Sequence, residues 1–130
     1  WKDSKDRTSL FIACKIGNRE IVEKLLEANA NPTLPQEDNE TPLHIACEHG
    51  HELIVKLLLS NSSVNPAVVD DDENTPLHKS CENGNQEITS LLLAHPKVNR
   101  SALNIDNVTP FNVSCSNGHL HLVKLFLELE

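Results

Sequence analysis

The sequence predicts an all-α fold, a solenoid of stacked helix-turn-helix units. Three observations carry this. Cys14, Cys47, Cys81 and Cys115 recur at spacings of 33, 34 and 34, and they are the only cysteines. Gly17, Gly50, Gly84 and Gly118 are the only glycines and keep the same step. Apolar residues between the repeats fall at i, i+1, i+4 and i+5, which gives a helical stripe and not strand alternation. Two uncommon residue types, each used once per unit, mark internal repetition of a short structural unit.

Each unit opens on a short helix with a written start and stop. Thr8, Thr41, Thr75 and Thr109 stand where a hydroxyl can accept a free N–H of the first turn. Pro42, Pro76 and Pro110 follow at the first helical position, where a missing N–H costs nothing. His44 and His78 fall three residues after the cap, where a side chain can reach back as in a capping box. The glycine ends the helix, since glycine enters the left-handed region without penalty.

A second helix follows each glycine. Asn18, His51, Asn85 and His119 stand at its start. Its stripe is Ile21-Val22 with Leu25-Leu26 in the first unit and Ile54-Val55 with Leu57-Leu58-Leu59 in the second. Ile88 with Leu91-Leu92-Leu93, and Leu122-Val123 with Leu125-Phe126-Leu127, continue it. Helices this short are not stable alone in water and need neighbours. The links 29–40, 61–74 and 95–108 are rich in Asn, Asp, Pro and Ser and are expected to be loops with turns.

The stretches Thr41-Pro42-Leu43-His44-Ile45-Ala46 and Thr75-Pro76-Leu77-His78 resemble the ankyrin repeat, with its T-P-L-H-x-A pattern and 33-residue period. The outer units depart from it: Ser9 replaces Pro and Phe11 replaces His in the first, and Asn112 replaces His in the fourth. The resemblance implies a single ankyrin-repeat domain over 1–130. Its repeats run about 7–39, 40–73, 74–107 and 108–130, the last incomplete. It also implies that the links project as β-hairpin-like fingers. Asn39 and Asn107 stand at the left-handed position of the finger, which Asn tolerates. Glu73 fits that position badly, so an irregular finger is expected before the third unit.

Composition narrows the function. Formal net charge is −8. Residues 1–35 hold six bases and five acids, whereas from residue 36 onward five bases face fourteen acids. That balance argues against direct nucleic-acid binding, which Lys and Arg drive, and favours a basic or neutral partner. No stretch reaches the ~18 consecutive apolar residues of a membrane span. The polar start Trp1-Lys2-Asp3-Ser4 carries no signal-peptide pattern and no Met, so the chain is expected to be an excised fragment.

The cysteines are expected to be small buried apolar residues, not bridges or a zinc site, and to fit a reducing compartment inside the cell, cytoplasm or nucleus. His44 with Cys47, and His78 with Cys81, are spaced i, i+3, but no C-x-x-C or H-x₃-H pair accompanies them, so no metal is expected. Sequons at Asn39, Asn61, Asn107 and Asn112 are expected to be by-products of the repeat. No catalytic constellation and no cofactor-binding loop is present; all four glycines serve as helix stops. The run Asp70-Asp71-Asp72-Glu73 lacks the Gly and terminal Glu of a calcium loop and is expected to be a solvated finger tip.

The resemblance implies a non-catalytic module that binds a protein or peptide on its concave face. Carried onto this sequence, the contact positions are Arg7, Lys15 and Ile16; Glu37, Asp38, Glu40, Glu48 and His49; Asp71, Asp72, Asn74, Glu82 and Asn83; and Ile105, Val108, Ser116 and Asn117. They vary from unit to unit while the Thr, Cys and Gly frame does not. The middle of this row is acidic, which predicts a basic partner segment there. The last helix, with Leu120, Leu122, Val123, Leu125, Phe126, Leu127 and Leu129, is apolar nearly all round. A terminal cap should be polar outside, so further repeats or self-association through this helix are expected. The alternative reading is a scaffold or spacer segment of a larger multi-repeat protein or enzyme.

Overall fold

The structure is a computed structural model that describes residues 8–36 and 38–129. Among the described residues eight short helices follow one another: α1 Ser9–Ile16, α2 Arg19–Glu27, α3 Pro42–Glu48, α4 Glu52–Leu59, α5 Pro76–Asn83, α6 Gln86–Leu93, α7 Pro110–Ser116 and α8 Leu120–Glu128. Odd-numbered helices pack on one another in one layer and even-numbered helices in a second. Each odd helix also packs on the even helix that follows it. The result is an all-helical solenoid of two layers, the arrangement that stacked units adopt when none can bury its own apolar face.

The caps form as the sequence predicts. Thr8, Thr41, Thr75 and Thr109 accept the N–H of Phe11, His44, His78 and Asn112. His44 and His78 complete capping boxes by taking the Thr41 and Thr75 N–H on Nδ1, at 3.2 and 3.1 Å. Their Nε2–H then donates across to the next unit, to the carbonyls of Asn74 (2.9 Å) and Val108 (2.8 Å). Each ring is therefore a neutral tautomer with the proton on Nε2, and burial holds its pKa below the usual value. Asn18 and Asn85 cap the second helices, on Ile21 and Ile88. His51 and His119 make no such cap bond and reach to the preceding unit instead.

The core runs unbroken through the stack, with Leu10, Val22, Leu43, Ile54, Leu58, Leu77, Ile88, Leu92 and Leu122 all buried. Each such side chain contributes roughly 1.5–3 kcal/mol of burial. Cys14, Cys47 and Cys81 lie in it, and desolvation pushes the Cys14 and Cys81 thiols up to about 12 and Cys47 well above its usual value. Cys115 corrects the expectation of four buried cysteines. It is exposed, because no later unit covers it among the described residues.

The fingers are tight turns, with no extended strand among the described residues. Each is closed by one backbone bond: Gln36 N–H to Glu40 O, Asp70 N–H to Asn74 O and Asn104 N–H to Val108 O, at 2.9 to 3.1 Å. The irregular finger expected at Glu73 is not found. Glu73 takes φ 59°, matching Asn39 (58°) and Asn107 (59°), and its N–H reaches Asp70 O as theirs reach Gln36 O and Asn104 O. Asp70 supplies the reason: its carboxylate accepts the N–H of Asp72 and of Asn74, both at 2.9 Å, and so holds the turn.

Candidate functional site

Successive fingers are tied edge to edge. The Asp71 N–H donates to Asp38 O (3.0 Å) and the Ile105 N–H to Asp72 O (2.9 Å). Asn39 Nδ2 donates to an Asp71 carboxylate oxygen (2.7 Å), and Asn104 Nδ2 donates to Asn74 Oδ1 (3.0 Å). This ladder fixes the fingers of the second and third units side by side over the exposed ends of α3 and α5.

Between them opens a cleft of about 370 Å³ lined by Asp38, Glu40, Glu48, Asp70, Asp71, Asp72 and Lys79. Five of the sequence-predicted contact positions thus come together. Two liners were not predicted. Asp70 was assigned to a solvated tip and is instead only 8 % exposed, its side chain directed inward. Lys79 sits where the other units carry Ile12, Ile45 and Val113. That break in an apolar position was the available signal for it. Its ammonium lies 3.6 Å from Asp70 and 3.8 Å from Glu40. Burial opposes the Lys79 charge, but Glu48, Glu40, Asp70 and Glu82 outweigh it and hold the pKa above the usual value. Glu40 is pushed up, first by burial and then by repulsion from Glu48. One cation among six carboxylates leaves the cleft under-neutralised.

The remaining predicted positions are dispersed. Lys15 and Ile16 lie exposed at the end of α1, and the Lys15 carbonyl accepts from His51 Nε2 (3.1 Å). His49 is exposed beside His51, with Nδ1–H on Ile45 O (3.2 Å). Asn83 Nδ2 donates to Glu48 O (3.0 Å), which ties the second unit to the third. Asn74 and Val108 offer their carbonyls to His44 and His78, so much of their bonding is structural. Glu82 and Ser116 are exposed at the helix ends, as is Asn117, whose Nδ2 bonds Val113 O (3.0 Å). Ile105 is 59 % exposed at the last finger. Arg7 and Glu37 lie outside the described residues.

Among the described residues no cluster of His, Cys, Asp and Glu has metal-holding geometry, and no helix is long and apolar enough to cross a membrane. Comparison with known families matches ankyrin repeats, three copies, over residues 1–70 and 61–130. The chain belongs to the ankyrin-repeat family. Ankyrin repeats are protein-interaction modules. It is similar to a glycerophosphocholine phosphodiesterase of Candida albicans, 42% identical over 57 residues, 43% of the chain and 5% of that protein. It is also similar to mouse Rabankyrin-5, 34% identical over 58 residues, 45% of the chain and 5% of that protein. The chain thus spans about a twentieth of the length of these two relatives.

Proposed function

We propose that this ankyrin-repeat segment is a non-catalytic docking module for a protein or peptide whose basic side chains enter the cleft between the second and third units. The carrying observation is the charge imbalance: Asp38, Glu40, Glu48, Asp70, Asp71 and Asp72 line the cleft against Lys79 alone. A bound Lys or Arg would offset the burial and the carboxylate repulsion that together raise the Glu40 pKa. Ile105 and Val108, on the finger that leads into the fourth unit, support an apolar contact beyond the cleft. We assign the module to the cell interior, cytoplasm or nucleus, on the grounds of its unpaired buried thiols. The exposed Leu120, Leu127 and Leu129 of the last helix support stacking of further repeats or of a second copy there.

The test is replacement of Glu48 and Asp72 together by Lys, followed by titration of the captured partner over a salt series. Binding should weaken at least about tenfold and lose most of its salt dependence. Unchanged affinity and unchanged salt slope would place the partner elsewhere. A second reading rests on the relatives: two much longer proteins carry a similar segment, one of them named as a phosphodiesterase. In that reading the chain is the scaffold or regulatory part of a larger protein.

A further inference from the structure

The repeat places two Asn-Gly dipeptides at equivalent turns, Asn83-Gly84 in the third unit and Asn117-Gly118 in the fourth. Their surroundings differ. The third unit's turn is clamped by the fourth unit: His119 Nε2 donates to Glu82 O (3.1 Å) and His121 Nε2 donates to Gly84 O (2.7 Å). The His119 ring lies so close over Gly84 that an added Cβ would sit 2.7 Å from it. Asn83 is tied as well, to Glu48 O, and the Gly84 N–H closes a helical bond on Ser80 O (2.9 Å).

The fourth unit's turn has none of these clamps among the described residues. Asn117 and Gly118 are exposed, and nothing lies within 4 Å of the Gly118 Cβ position. The dipeptide is held by local bonds alone: Asn117 N–H and Nδ2 to Val113 O (3.1 and 3.0 Å), Gly118 N–H to Cys115 O (3.1 Å) and Leu120 N–H to Gly118 O (3.0 Å), all within the fourth unit. Local opening of such a turn is far less costly than opening a turn held by a neighbouring unit.

We propose that Asn117 is a site of spontaneous deamidation, and that stacking of a neighbouring unit suppresses the same reaction at Asn83. The Gly118 backbone nitrogen attacks Asn117 Cγ, a C–N bond forms and the Cγ–Nδ2 bond breaks. The departing –NH2 group takes up the one proton lost by the Gly118 N–H, relayed by solvent, and leaves as ammonia. Water then opens the cyclic imide at either carbonyl, giving aspartate or isoaspartate. The product places a carboxylate at the C-terminal end of α7, where the helix dipole disfavours it, and adds a negative charge to the row of contact positions. The reaction needs no partner, so it stands apart from the docking reading.

The test is timed incubation of the folded chain in mildly alkaline buffer, with peptide mapping by mass spectrometry and an isoaspartate assay. A synthetic peptide spanning residues 116–120 sets the unconstrained rate. Asn117 should convert at a rate approaching the peptide's, and Asn83 at least about tenfold more slowly, the worth of the two hydrogen bonds that only its turn must break. Replacing His119 and His121 by Ala should speed Asn83 and leave Asn117 unchanged. If Asn83 converts as fast as Asn117 in the wild-type chain, or Asn117 stays an amide while the peptide converts, the proposal fails. If the double variant folds and Asn83 does not speed up, the clamp is not the cause. Should the variant unfold, the wild-type comparison decides alone.

Discussion

The second and fourth units share one local grammar and meet different fates. Both open on Thr-Pro, both end the first helix before a glycine, and both carry a cysteine three residues ahead of it. In the second unit Thr41, Leu43, His44 and Cys47 are all buried. In the fourth, Phe111 is half-buried and Asn112 and Cys115 are exposed. The caps are the same, since Thr109 accepts the N–H of Asn112 as Thr41 accepts that of His44. The difference lies in the next unit. α5 packs on α3, whereas nothing among the described residues packs on the outer side of α7. In a solenoid a unit's local structure is its own, but much of its burial belongs to its neighbour.

Truncating the equivalent core residue should sharpen this contrast most. Leu43→Ala should cost about 3 kcal/mol, the middle of the range for a buried leucine. Phe111→Ala should cost about 1–2 kcal/mol despite the larger side chain, because part of its surface is already in water and what it loses is chiefly an edge-to-face contact with Phe126. Urea unfolding of the two variants gives the comparison. Equal losses would mean that the fourth unit is covered in solution.

The turn glycines offer a smaller effect. Both Gly84 and Gly118 have positive φ, 86° and 72°. Alanine at either should cost about 1 kcal/mol of backbone strain. At Gly84 it would also displace His119 and break that ring's bond to Glu82 O, adding about 1 kcal/mol. Thermal melts of Gly84→Ala and Gly118→Ala should therefore separate, with the former less stable.

The smallest effect is on pH. Burial holds His44 and His78 below the usual histidine value of about 6.5. Below that value the unfolded chain takes up protons that the folded chain refuses, so stability is fully present above about 6.5 and falls as pH drops toward the depressed folded values. Protonation would also cost the Thr41 and Thr75 N–H their acceptor on Nδ1. His44→Asn, which copies the fourth unit, should flatten the decline between neutral and mildly acidic pH while lowering stability overall. An unchanged slope in chemical denaturation across that range would show that the imidazole is not the sensor.

Much of the fold was legible because each signal is local. A threonine hydroxyl caps a turn three residues away, and a glycine ends a helix by its own φ. The finger at Glu73 was misread for a related reason. The left-handed residue was judged by itself, while the turn is held by Asp70, three positions earlier. The acidic part of the candidate site was visible as a charge run, but its floor was not. Lys79 showed only as a polar residue in an aliphatic column.

By itself the sequence determined the repeat, the caps, the order of the helices and the family, since all of these are written within a few residues or in a fixed period. The tertiary structure alone decided which frame residues are buried. It set Lys79 between Glu40 and Asp70, turned His51 and His119 onto the preceding unit, and left Cys115 in water. The reason is physical. The contacts of Lys79 with Glu40 and of His51 and His119 join positions about a full repeat apart, and a period that is the same in every unit carries no information about which unit has a neighbour beyond it.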